Sequence, residues 1–145
     1  GKVMVAPISE QRREAERRQL AAARREQLEA AEAARIASGP INRYLKSLVD
    51  AARDWVDGAA SDNYKNYGKM IKALDRETFE SQVEKGSAWV GSPEELVEQI
   101  RSYDEAIGGF DDASLQVNFN DMSFDDAEYS LKLFGENVMP VLAAS

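Results

Sequence analysis

Three side chains at the ends of two short apolar runs are the best candidates for binding chemistry. Trp89 lies in the run 87–91, and Asn118 and Phe119 close the run 114–119. Both runs have the composition of buried strands, and residues at the carboxyl ends of parallel strands face the mouth of a site. An aromatic ring there can stack on a flat cofactor, and an amide can hydrogen-bond a ligand. The alternatives are core packing for the two rings and turn closure for Asn118.

Composition excludes several classes of chemistry. The 145 residues include no cysteine and no histidine, so thiolate nucleophiles, Ser-His-Asp triads and Cys or His metal sites are absent. The formal net charge of −8 disfavours nucleic acid and anionic membrane surfaces as partners. The sequence contains no run of roughly 20 apolar residues, and residues 1–7 lack the apolar core of a signal peptide. We therefore expect a cytoplasmic protein with no membrane partner.

Two polar segments resemble ligand sites but have simpler explanations. The turn 91–95 precedes a helix, where phosphates often bind, yet its own glutamates already occupy the positive end of that helix. A self-capped turn is the favoured interpretation. An acidic stretch lacks the spacing, glycine and terminal glutamate of a calcium loop, so we predict no metal site there. Its residues are Asp111, Asp112, Asp121, Asp125 and Asp126.

The elements that position these residues alternate between strand and helix. Residues 2–8, 87–91 and 114–119 are predicted strands. An Ala/Arg/Glu-rich helix is predicted to follow the first strand and to stop at Ser38-Gly39-Pro40. Another helix begins at Ser92, where Ser-x-x-Glu forms a capping box, and a last one begins near Ser123.

This alternation predicts an α/β fold with parallel strands. A closed eight-stranded barrel needs about 250 residues, so the expected architecture is part of a (β/α)8, TIM-type barrel with about three parallel strands and a majority of helix. We expect one domain over residues 1–145. Its parts are the long Ala/Arg/Glu helix at 9–38, a helical insertion at 41–85, and the last two strand-helix units at 87–142.

The first long helix carries seven arginines and six glutamates between Glu10 and Arg35. Pairs of opposite sign at helical spacing, such as Glu14 with Arg18, are typical of a solvated helix face. Binding of a partner through this helix is the alternative.

From Ser87 to Leu142 the sequence resembles the C-terminal part of the luciferase-like, flavin-dependent monooxygenases. The match comprises a strand entering Val-Gly-Ser-Pro-Glu-Glu, an amphipathic helix, a Gly-Gly turn, a strand "LQVNF" and a helix ending Phe-x-x-x-Val-Met-Pro. The opening "VMVAP" and the segment 52–67 resemble the family more loosely.

The resemblance implies an enzyme that oxidises a small organic substrate with reduced FMN and dioxygen. Trp89, Asn118 and Phe119 would then face the flavin, and no catalytic acid or base is assigned. Because the chain matches only the last strand-helix units, we expect a fragment of a longer enzyme. The alternatives are a piece of a split or self-associating barrel, and a noncatalytic remnant that binds a partner or a second copy. A regulatory or structural helical domain unrelated to barrels is a third alternative, and it requires that residues 114–119 do not form a strand. A homo-oligomer or a missing barrel half is the expected partner, since unpaired strand edges favour association.

Overall fold

A computed structural model describes residues 9–57 and 66–144. These residues form six helices, in the order α1 (Glu10–Asp57), α2 (Tyr67–Leu74), α3 (Phe79–Glu84), α4 (Pro93–Ile107), α5 (Phe124–Asn137) and α6 (Met139–Ala143). Helices α2, α3 and α4 pack against α1, whereas α5 packs against α4 and α6. The predicted strand at 2–8 lies outside the described residues.

The predicted α/β fold is wrong for the described part of the chain, which contains helices and connecting segments but no strand. Both segments expected to be strands, 87–91 and 114–119, lack regular secondary structure. A strand is stabilised by hydrogen bonds to a neighbouring strand, and neither segment has one here. The partial TIM-type barrel with three parallel strands is therefore overturned.

The segment 87–91 nevertheless keeps the side-chain alternation of a strand. Ala88 and Val90 pack against a cluster on α1, whereas Trp89 packs against a cluster on α4. Successive side chains thus point to opposite sides, as the apolar run requires. The segment is extended locally but pairs with no other strand of the described residues, so the predicted strand is wrong.

Helix α1 continues through the predicted stop at Ser38-Gly39-Pro40, so its 48 residues join two elements expected to be separate. A proline inside a helix removes one hydrogen bond and costs about 3 kcal/mol. Burial of Pro40 together with its neighbours Ile36 and Ile41 offsets that cost, because all three lie against the rest of the protein.

Two apolar clusters form the core. One centres on Ala37, Ile41 and Leu45 of α1, with partly buried side chains packed around it from Leu74, Phe79, Ala88, Val90 and Phe119. The other centres on Val97, Ile100 and Val138, with partly buried neighbours Trp89, Leu96, Phe110, Phe134 and Leu142. The segment 87–91 lies between the clusters and contributes to both.

The predicted boundaries of α4 are confirmed. Ser92 is the N-cap, Pro93 opens the helix, and Glu95 completes the capping box. Gly108 ends the helix with φ of 82°, a left-handed conformation that favours glycine. Ser123 likewise caps α5, as its sequence predicts. Among the described helices, none combines the length and apolarity needed to cross a membrane.

Candidate functional site

An open cleft of about 460 Å³ lies between α3 and α4. Trp89 and Tyr103 provide its aromatic surface, with ring centroids 5.4 Å apart and planes inclined by 70°. Edge-to-face contact of this kind holds both rings in place. The other lining residues are Val83, Glu84, Lys85, Gly86, Glu95, Glu98, Gln99 and Ser102.

The charges that line the cleft are mainly negative. Glu84 and Glu98 are exposed and have no ion-pair or hydrogen-bond partner for their carboxylates among the described residues. The one cation, Lys85, donates a hydrogen bond to Glu77. Together with the Ser81 hydroxyl, this bond lowers the pKa of Glu77 to about 2. The cleft therefore offers two unpaired carboxylates to a ligand and no unpaired cation.

Gln99 connects α4 to the segment that carries Trp89. Its amide Nε2 donates to the carbonyl oxygen of Val90 at 3.1 Å, and the backbone N–H of Val90 donates to Oε1 at 3.2 Å. Both backbone groups that would pair with an adjacent strand are thus satisfied by one side chain. This contact fixes the backbone beside Trp89. It was not predicted from the sequence, because no motif links Gln99 to Val90.

The structure separates the three predicted site residues. Trp89 lines the cleft and packs on the Val97 cluster. Phe119 packs on the α1 cluster, edge-on to Tyr44 at 6.2 Å between centroids. The backbone carbonyl of Asn118 accepts a hydrogen bond from the Gln116 amide. Of the three, Trp89 is the one that lines the cleft.

The N-terminus of α4 is closed by its own side chains. The hydroxyl of Ser92 accepts from the Glu95 N–H at 3.2 Å, and Glu95 Oε2 accepts from the Ser92 N–H at 2.8 Å. Pro93 has no N–H to offer, and Glu94 pairs with Arg25 at 2.7 Å. A hydrogen bond from the backbone N–H of Glu94, followed by the one from Arg25, lowers the pKa of Glu94. The self-capped turn expected from the sequence is confirmed, and a phosphate would meet carboxylates there.

The described residues do not fit FMN. A flavin mononucleotide needs N–H donors or cations for its phosphate and a flat apolar slot for its ring system. The cleft beside Trp89 instead presents Glu84, Glu95 and Glu98, and its lysine is already paired. The flavin expectation consequently finds no support in the geometry of residues 9–57 and 66–144.

The acidic stretch of the C-terminal third is tied to arginines on α1. Arg43 Nε lies 2.7 Å from a carboxylate oxygen of Asp121, and this hydrogen bond lowers the pKa of Asp121. Arg35 Nη2 lies 3.4 Å from Asp126. Across the described ranges, no group of three or more potential ligand residues could hold a metal ion.

A second cleft, of about 280 Å³, lies between α1 and α2. Lys46 pairs with Asp50 at 2.8 Å, and Arg53 pairs with Asp75 at 3.4 Å. Asn42 uses its side-chain oxygen to accept the Phe79 N–H at 2.8 Å. Because these lining groups already have partners, this cleft has less to offer a ligand than the one at Trp89.

The N-terminal part of α1 is an arm, which we define as residues 10–25, all of them exposed. Its contact with the body of the protein is the Arg25–Glu94 ion pair. Arg12 pairs with Glu16, and Arg18 pairs with Glu14. The remaining arginines of the arm have no ion partner among the described residues, and they are Arg13, Arg17 and Arg24.

The unpaired arginines share one face with two exposed leucines. We call this set the arm stripe, which extends one turn beyond the arm. Its residues, Arg13, Arg17, Leu20, Arg24 and Leu28, follow one another at intervals of four, three, four and four residues. At about 100° per residue, those intervals keep all five within a narrow angular sector of the helix. Leu20 and Leu28 are 72% and 63% exposed, so the stripe presents apolar as well as cationic side chains to solvent. The spacing was visible in the sequence, whereas the unpaired state of the arginines was not.

Comparison with known proteins identifies no relative: no protein-family model matches the chain, and no curated protein or solved structure matches it.

Proposed function

We propose that this chain is the C-terminal portion of a flavin-dependent, luciferase-like monooxygenase. The complete enzyme would oxidise a small organic substrate with reduced FMN and dioxygen in the cytoplasm. The observation that carries the proposal is the ordered resemblance over residues 87–142, in which many residues of the family pattern recur in sequence. This chain alone would be catalytically incomplete.

Helix boundaries within that region support the proposal. The Gly-Ser-Pro-Glu-Glu segment forms a complete N-terminal cap at Ser92, and the Gly-Gly segment ends α4 with two left-handed residues, Gly108 and Gly109. Helix α5 ends at Asn137, immediately before the Val-Met-Pro sequence. The residues of the family pattern thus lie at the start and end of α4 and at the end of α5.

The missing flavin contacts define the partner that the proposal requires. Since the described residues provide no unpaired cation beside Trp89, the phosphate of FMN must be bound by residues from the rest of the enzyme. Trp89 remains the candidate to contact the flavin ring or the substrate. Phe119 and Asn118 would contribute only after Phe119 leaves its present place against Tyr44.

Flavin binding with and without the rest of an enzyme tests this proposal. Equilibrium dialysis of the 145-residue chain should show no saturable binding of oxidised or reduced FMN up to millimolar concentration. Addition of a separately expressed N-terminal portion of a luciferase-like monooxygenase should produce saturable binding and flavin-dependent uptake of dioxygen.

Two tryptophan variants make that test specific. Trp89→Ala should weaken flavin binding by the reconstituted protein, whereas Trp55→Ala, on α1 and against Tyr67, should not. Reconstituted protein that binds no flavin, or equal effects of the two variants, would contradict the proposal. Saturable binding by the chain alone would contradict the geometric argument against an FMN site.

A noncatalytic, self-associating module is the second candidate function. The observation that favours it is the exposed arm, which projects from the body and carries unpaired arginines and exposed leucines on one face. The arm leaves apolar surface uncovered unless another molecule contacts it.

A further inference from the structure

We propose that the arm stripe of one molecule binds in the Trp89–Tyr103 cleft of a second copy of this chain. The inference rests on the second candidate function, self-association, and names the two surfaces that would carry it. It is independent of the monooxygenase assignment.

The charges of the two surfaces are complementary. The arm has six arginines and three glutamates, a net charge of +3, so that the rest of the chain carries −11. The cleft presents Glu84 and Glu98, whose carboxylates have no partner among the described residues. Arginine binds carboxylates with two parallel hydrogen bonds, and opposite surface potentials guide two molecules together.

The apolar parts of the two surfaces also correspond. Arginine and leucine side chains both pack on aromatic rings, the former through its flat guanidinium group. Tyr103 is 41% exposed at the cleft, and Leu20 is 72% exposed on the arm stripe. A helix that inserts one face into an apolar groove, with contacts every three or four residues, is a common mode of recognition.

The cleft is long enough for about half of the arm. Sixteen helical residues span about 24 Å, whereas residues 95–103 of α4, which line the cleft, span about 14 Å. The arm cannot reach the cleft of its own molecule, because it continues directly into the rest of α1 as one helix. The Arg25–Glu94 ion pair further fixes its base. The occupant of the cleft must therefore come from another molecule.

A two-fold dimer would form this contact twice, each arm in the other molecule's cleft. A helix about 24 Å long and about 10 Å wide covers little area, so the whole interface buries on the order of 1,000 Å². That is the low end for a specific complex. We expect a reversible dimer with a dissociation constant in the micromolar range that weakens as salt rises above about 0.15 M.

Sedimentation velocity of the full chain over about 1–200 μM tests the inference. Arg13→Glu/Arg17→Glu should weaken dimerisation by more than roughly tenfold, since it replaces attraction with repulsion at two positions. Arg12→Glu/Arg18→Glu is the matched control, because it changes the net charge equally on other faces of the same arm. Circular dichroism of each variant reports whether α1 remains helical.

A charge exchange completes the test. Glu84→Arg/Glu98→Arg should also abolish the dimer, and mixing it with Arg13→Glu/Arg17→Glu should restore a heterodimer, because both arm–cleft contacts again join opposite charges. A chain that stays monomeric at 200 μM would overturn both self-association and this inference. A dimer that Arg13→Glu/Arg17→Glu leaves intact would preserve self-association and overturn the arm–cleft contact.

Discussion

The side-chain amide of Gln99 is hydrogen-bonded to both backbone groups of Val90, at 3.1 Å through Nε2 and at 3.2 Å through Oε1. This pair replaces, at one residue, the contact that an adjacent strand would provide. It joins the middle of α4 to the segment between the two core clusters, so the position of Trp89 depends on it.

We expect Gln99→Leu to destabilise the protein by about 1–3 kcal/mol, because it leaves the partly buried N–H and carbonyl of Val90 without partners. Urea denaturation followed by tryptophan fluorescence measures the loss. Gln116→Leu is the control, since the Gln116 amide makes a single exposed hydrogen bond to the Asn118 carbonyl. Equal losses for the two variants would show that the Gln99–Val90 pair has no special importance.

Ser92 is the fully buried cap of α4, with 0% of its surface exposed. Replacing it with alanine removes the acceptor for the Glu95 N–H and should cost about 1–2 kcal/mol. Ser123→Ala removes the cap of α5 at an exposed position, where water can replace the hydroxyl, and should cost less. Thermal denaturation of both variants compares them. A larger loss at Ser123 would contradict the importance assigned to burial at Ser92.

Acid should destabilise the protein through Glu77. Its pKa is lowered from 4.5 to about 2 by hydrogen bonds from Lys85, Ser81 and Gln82. A carboxyl group with a lower pKa in the folded state stabilises the fold above its unfolded pKa, and the contribution disappears as pH falls from about 4.5 to about 2. The urea midpoint should therefore decrease over that interval, and Glu77→Gln should reduce the decrease. Glu105→Gln is the control because the Glu105 side chain has no partner among the described residues. If Glu77→Gln had the same pH profile as the unsubstituted protein, the prediction would be contradicted.

Local signals in the sequence predicted the helix boundaries of the C-terminal half. Ser92, Pro93 and Glu95 form the expected cap, and Ser123 begins α5. A capping interaction joins residues within four positions of one another, so it can form independently of the rest of the chain. The boundary at Pro40 failed because burial of the surrounding α1 residues outweighs the local cost of proline.

The sheet could not be derived in the same way. The apolar run 87–91 predicted a strand, but a strand requires pairing with a neighbour elsewhere in the chain, and that pairing is absent from the described residues. The predicted site also depended on strand pairing. Trp89 and Phe119 were expected together because strands of one sheet would align them, and without the sheet they pack in different clusters.

Two alanine-to-glycine substitutions on α1 should distinguish the local stability of the arm from the global stability of the body. Ala22 lies on the exposed arm, and Ala37 is 8% exposed in the core cluster with Ile41 and Leu45. Glycine lowers helix stability by about 1 kcal/mol at either site, but the arm can unwind locally without loss of the core. Ala22→Gly should thus reduce helical circular dichroism while the urea midpoint stays constant at low protein concentration. Ala37→Gly also removes a buried methyl group, so it should lower global stability by about 2 kcal/mol. If Ala22→Gly lowered the urea midpoint as much as Ala37→Gly, the arm would belong to the cooperative core and would not project from it.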